Sequence, residues 1–149
     1  MKIEEEIKQP KFRSEFHKLV INVSFTSNWL TRIGMQILKP YKLTTQQFNV
    51  LRILRGQYPK PSSINLITDR MIDKMSNASR LVDKLVAKGL VDRTVCPNDR
   101  RQVDVLITEK GSKLLTELDE KIGTWETHIE GLNEKEAKQL NILLDKMRG

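Results

Sequence analysis

Residues 76–107 change their period partway along. From Ala78, apolar side chains recur at Leu81, Val82, Leu85 and Val86, the i+3, i+4, i+7, i+8 spacing of a helix with one buried stripe. Gly89 closes that helix, because a left-handed cap suits glycine best. Directly after it, "LVDRTV" (90–95) and Gln102–Ile107 read as strands instead. In the second, Val103, Val105 and Ile107 alternate with Gln102, Asp104 and Leu106. Cys96–Arg101 joins the two, a hairpin-length connection. A helix that runs at once into a two-stranded ribbon restricts the fold more than any other stretch of the chain.

The flanks are helical. Between Phe12 and Lys39, Phe16, Leu19, Val20, Val23, Leu30, Ile33 and Ile37 fall mostly three or four residues apart, and Pro40 ends the pattern. At about seven turns this helix cannot bury its whole stripe in one small domain, so part of it is expected to meet another chain. Thr44 and Gln47 have capping-box spacing before a helix that turns Phe48, Leu51 and Leu54 inward and stops at Gly56. "GQYPKPSS" (56–63) reads as a loop, and Ser62 or Ser63 caps a short helix through Ile64, Ile67 and Met71. Thr108 caps a helix from Glu109 to about Glu130, with Leu114, Leu115, Leu118, Ile122 and Trp125 as its stripe and Gly131 as its break. Asn133 with Glu136 caps the last, amphipathic helix, through Ala137, Leu140, Leu143, Leu144 and Met147.

Charge is unevenly spread over the 149 residues. The net charge is +7; residues 41–110 carry 13 basic and 7 acidic side chains, whereas 111–149 carry 6 and 8. A basic middle with a mildly acidic tail suits contact with a polyanion through one module. The apolar runs are too short to span a membrane, the charged start has no apolar core like that of a secretory signal, and Cys96 has no partner for an internal disulfide. A cytoplasmic protein is expected. The two histidines, His17 and His128, have no second ligand at metal spacing, and no phosphate loop or nucleophile–base set is present. Neither catalysis, nor a metal, nor a cofactor is expected. Glu4, Glu5 and Glu6 read as a solvated terminus, and Trp29 and Trp125 as helix-interface residues.

Ile64–Met71 and Ser76–Lys88, separated by a tight turn, share an apolar interior as a helix-turn-helix does. Opposite the buried stripe of the second helix lie Ser76, Arg80, Asp83, Lys84 and Ala87, with Asn77 at the edge. Small polar residues such as Ser76, Asn77 and Ser79 let a backbone approach base edges, where Asn pairs with adenine and Arg with guanine. Ser76 reads equally well as a helix cap. Asp83 is placed to hold Arg80 by an ion pair. Arg100 and Arg101 on the hairpin leave three readings open: solvated turn residues, braces of the turn, or probes for an anion. Asp99 is expected to accept hydrogen bonds from the turn and from Arg101.

The run from "KPYKLTTQQFNVLRIL" through "MSNASRLVDKLVAKGLVDR" to "NDRRQVDVLITEKG" resembles the MarR family of bacterial winged-helix transcription regulators, over roughly residues 12–145. The resemblance implies a mainly α fold with a small β part, a winged helix-turn-helix at 41–110 between dimerisation helices at 1–40 and 111–149. It implies a homodimer on double-stranded DNA, with the second helix of the motif in the major groove and the wing in the minor groove of a pseudo-palindromic operator. A repressor, released by a small aromatic or lipophilic effector, is the expected role. Ser76, Asn77, Ser79, Arg80 and Lys84 are then DNA-facing, Asp99 and Arg101 form the wing-tip pair, and Arg93 and Arg100 contact phosphates. Three positions depart from the pattern. Lys42 and Ile72 stand where glycines are common, and Cys96 lies on the wing, whereas peroxide-sensing members carry a cysteine in the first helix. The competing readings are a helical protein-interaction module with incidental basic charge, and a winged-helix regulator without a small-molecule ligand.

Overall fold

The structure, a computed structural model, describes residues 1–95, 102–126 and 131–149, with 122–126 by their backbone alone. Cys96, Asp99, Arg100, Arg101, His128 and the side chains of Ile122 and Trp125 therefore lie outside the described residues. The chain divides into two units, Met1–Thr45 and Gln46–Gly149.

In the first unit a single helical turn, Ile3–Glu6 (α1), precedes the long helix Glu15–Leu38 (α2). The sequence predicts a start at Phe12; Ser14 delays it, because its Oγ accepts the His17 N–H at 3.1 Å and forms the N-cap. Phe12 instead meets His17 edge-on, with ring centres 5.8 Å apart. The acidic run is not a free terminus either. Glu4 Oε1 lies 2.5 Å from Lys18 Nζ, a pairing that lowers the Glu4 pKa and raises that of Lys18. Pro40 falls in a 3-10 turn, Lys39–Tyr41, directly after α2. Lys42 then takes a left-handed backbone, φ 54° and ψ 33°. A side chain there costs about 1–2 kcal/mol relative to glycine, which is the physical reason glycine is common at such a position. Phe16, Leu19, Val20 and Met35 of α2 are exposed, as expected of a helix whose stripe outlasts its own domain.

Thr45–Gln57 (α3) starts on the last residue of the first unit; the second unit holds the rest of it with Ser62–Ser63 (β1), Ile64–Arg70 (α4), Ala78–Val86 (α5), Val91–Val95 (β2), Val103–Ile107 (β3), Glu109–Glu126 (α6) and Glu134–Arg148 (α7). The strands form an antiparallel sheet in the order β1-β3-β2, with Val91 opposite Ile107, Arg93 opposite Val105, and Ser62 opposite Val105 on the other edge. β1 has no counterpart in the sequence reading. It is two serines long, and one of them, Ser63, also caps α4 through a 3.1 Å bond from the Leu66 N–H. Val50, Leu51, Leu54, Ile67, Met71, Val82, Leu85, Val105, Leu115 and Leu118 are buried, so α3, α4, α5, β3 and α6 each supply one face to the core. α3 is fixed by polar contacts too: Lys88 Nζ donates to the buried Gln47 Oε1 at 3.1 Å. Arg55 reaches across to Asp119 of α6 at 2.6 and 3.2 Å, and the hydrogen bonds from its guanidinium hold the Asp119 carboxyl below the usual range. α7 has the expected reciprocal cap between Asn133 and Glu136, but none of its residues is buried; Leu140, Leu143 and Met147 are exposed.

The end of α5 is joined to the start of α6. Gly89 has φ +67°, the left-handed geometry its position predicts. The Lys88 carbonyl accepts from Lys110 Nζ at 2.8 Å, the Gly89 carbonyl from Thr108 Oγ1 at 2.9 Å, and the Leu90 carbonyl from the Thr108 N–H at 3.1 Å. Thr108 Oγ1 also accepts the Gly111 N–H at 3.0 Å, as the cap of α6. Gly111 is pressed against this junction: a Cβ there would stand 2.3 Å from the Leu90 oxygen and 2.8 Å from Ile107 Cγ1. Both neighbours are held, one by the backbone and one by the core. Gly111→Ala is therefore expected to destabilise the fold by about 1–3 kcal/mol, the range for overpacking. Urea unfolding measures this, and an unchanged midpoint would contradict the close approach.

Candidate nucleic-acid interface

α5 separates its faces cleanly. Ala78, Val82 and Leu85 are buried, while Arg80, Asp83 and Lys84 are exposed and Ser79 is half-buried. The helix begins at Ala78 rather than Ser76, because Asn77 has extended backbone angles and caps it: its Oδ1 accepts the Arg80 N–H at 3.0 Å. Ser76, expected on the helix face, lies instead in the turn, where its Oγ donates to Asp73 Oδ2 at 2.7 Å. Asp73 Oδ1 accepts the Met75 N–H at 3.0 Å, and these bonds, that from Ser76 first, lower the Asp73 pKa. The Ile72 N–H donates to Asn49 Oδ1 of α3 at 2.9 Å, so the exposed isoleucine sits in a turn fastened at both ends. The turn spans Met71–Asn77, longer than the tight connection the sequence suggests. Asp73 and Asn49 were not identified from sequence. The Asp-x-x-Ser spacing at 73–76 carries a local signal for the first; the second is a contact across 23 residues and has none.

Asp83 does not pair with Arg80. Its Oδ1 takes the guanidinium of Arg93, on β2, and so joins the outer face of α5 to the first ribbon strand. The spacing of Arg80 and Asp83 allowed a contact along the helix; the sheet brings a cation closer from the side. Arg80 and Lys84 thus keep their charge outward one turn apart, with the ribbon beside them. Asp99, Arg100 and Arg101, expected on the hairpin, lie outside the described residues. Among the described residues no three His, Cys, Asp or Glu side chains are grouped as metal ligands, and no helix is long and apolar enough to cross a membrane.

Residues 43–103 match the family model for MarR. A MarR transcription factor from Planctomyces limnophilus is 31% identical, with 93% of this chain and 98% of that chain covered and a TM-score of 0.69. The chain belongs to the MarR family. It is a MarR-type winged-helix transcription regulator and not an enzyme, and the resemblance read from "SRLVDKLVAKGLVDR" and "DRR" is correct. A mutant MarR from E. coli complexed with operator DNA is 25% identical over 92% of this chain and 98% of that one, with a TM-score of 0.77. Bordetella bronchiseptica BpsR, whose DNA binding is regulated by 6-hydroxynicotinic acid, is 26% identical over 89% and 99%, with a TM-score of 0.72.

In this MarR chain the cap at Asn77 is a structural role independent of any base. Asn77→Ala is expected to lower stability by about 1 kcal/mol, with Asn77→Ser close to the parent, since serine also caps. Thermal or urea unfolding reads this directly; equal stability of all three would mean that the cap contributes nothing.

Proposed function

We propose that the protein is a homodimeric repressor that binds a pseudo-palindromic operator through α5 and the ribbon. The observation that carries this reading is the polar outer face of α5. Arg80 and Lys84 are exposed there, Asn77 and Ser76 order the turn at its N-terminal end, and Arg93 is held alongside by Asp83. A helix presented in this way enters a major groove by its N-terminal residues. In this reading Arg80 and Ser79 meet base edges or phosphates, and Lys84 and Arg93 contact phosphates. Asn77 keeps its capping bond, which competes with bidentate pairing to adenine. Asp99 orients Arg101 toward the minor groove, with Arg100 on the backbone.

The exposed apolar residues of α2 and α7 support the dimer. Phe16, Val20, Leu140, Leu143 and Met147 are exposed at helical spacings in a single chain, and a second copy would cover them. Release by a small aromatic or lipophilic effector is the proposed control, by analogy with the relative regulated by 6-hydroxynicotinic acid.

Selection of bound sequences from a random duplex pool tests the reading. The expected product is an inverted repeat with half-sites about one helical turn apart. Its affinity should fall with salt at a log–log slope of about −0.9 for each phosphate neutralised. An enriched sequence without two-fold symmetry would remove the dimer from the proposal. No enrichment, with salt-independent association, would remove DNA recognition itself.

A further inference from the structure

The turn between α4 and α5 holds two large apolar side chains in water. Met75 is 94% exposed and Ile72 88%, more than any other large hydrophobic residue among those described except Met1. Neither is on a loose segment. Asp73 accepts the Met75 N–H and the Ser76 hydroxyl, Asn49 accepts the Ile72 N–H, and the Asn77 cap follows at once. A braced turn cannot fold these side chains back into the core, so their exposure is built in.

The neighbourhood favours one occupant. Arg70, Lys74, Arg80 and Lys84 are exposed around the turn and the first turns of α5. Of the nearby carboxylates, Asp73 is engaged by the turn and Asp83 by Arg93, while Asp69 is exposed beside Arg70, against four cations. A cationic surface with a helix N-terminus at its centre suits a polyanion rather than an apolar protein face. The major-groove edge of DNA offers one apolar group, the 5-methyl of thymine. Met75 stands two residues before the helix cap, at the end of the motif that approaches base edges, and its unbranched thioether adapts to a small apolar target.

We propose that Met75 is a specificity-determining residue that packs against the 5-methyl group of a thymine in each half-site. This rests on the DNA reading above. The test uses the full-length protein and the operator selected from the random pool, with each thymine replaced in turn by uracil, which lacks only that methyl. Wild type is expected to lose about fourfold in affinity per half-site at one symmetric thymine position, the equivalent of ~0.8 kcal/mol for one methyl-sized group. Met75→Ala, a change at an exposed site that leaves the fold intact, should bind the thymine and uracil duplexes alike. Ile72→Ala, which alters the same turn, should keep the wild-type loss.

Three results would overturn the proposal: no thymine position sensitive to uracil in wild type, an undiminished loss in Met75→Ala, or a loss abolished equally by Ile72→Ala, which would assign the effect to the turn. The first of these on an enriched operator removes only the role of Met75. A pool that enriches no sequence removes both this inference and the DNA reading beneath it.

Discussion

Just past the end of α5, the three consecutive carbonyls of Lys88, Gly89 and Leu90 are all taken by Thr108, the cap of α6, and Lys110 in its first turn. Thr108 supplies two of the donors while its hydroxyl also caps α6, and the Lys110 ammonium sits where the helix dipole favours a cation. Gly111, with no side chain, lets α6 come down onto Leu90. The ribbon starts and closes within this same junction, since Val91 pairs with Ile107. The outer face of α5, the ribbon and α6 are therefore set relative to one another by a few bonds among residues 88–91 and 107–111.

Charged groups outside the junction are used for orientation more than for stability. Arg93 and Asp83 are both partly exposed, and a pair in that setting contributes little to folding; its effect is to fix where the ribbon strand lies against the helix. Arg55 with Asp119 does the same between α3 and α6. Asp119 and Asp83 are held in these pairs, while Arg80 and Lys84 stay exposed on α5.

Much of this was legible in the residues. The stripe from Ala78 to Leu85, the turn at Gly89, the alternation from Val103 to Ile107 and the caps at Thr108 and Asn133 each encode local geometry, and each is where the pattern puts it. Features that depend on distant partners were not legible. β1 is too short to show a period and exists only because β3 runs beside it. Arg80 and Arg93 compete for Asp83, and the sequence favours the neighbour along the helix while the sheet delivers the other. Ser76 and Asn77 are both good caps, and only backbone angles decide between them. The family resemblance was legible because helix, glycine and ribbon occur together; the wing-tip roles of Asp99, Arg100 and Arg101 remain part of the proposal.

The central claim is that two copies of this unit, each with α5 and ribbon locked together, read one operator symmetrically. Hydroxyl-radical footprinting of the selected operator at saturating protein measures it most directly. The account predicts a two-fold pattern, with protected backbone flanking two major grooves about one helical turn apart. It also predicts protection of the adjoining minor grooves where the ribbons reach. Protection confined to one half-site, or spread evenly with no symmetry, would contradict it.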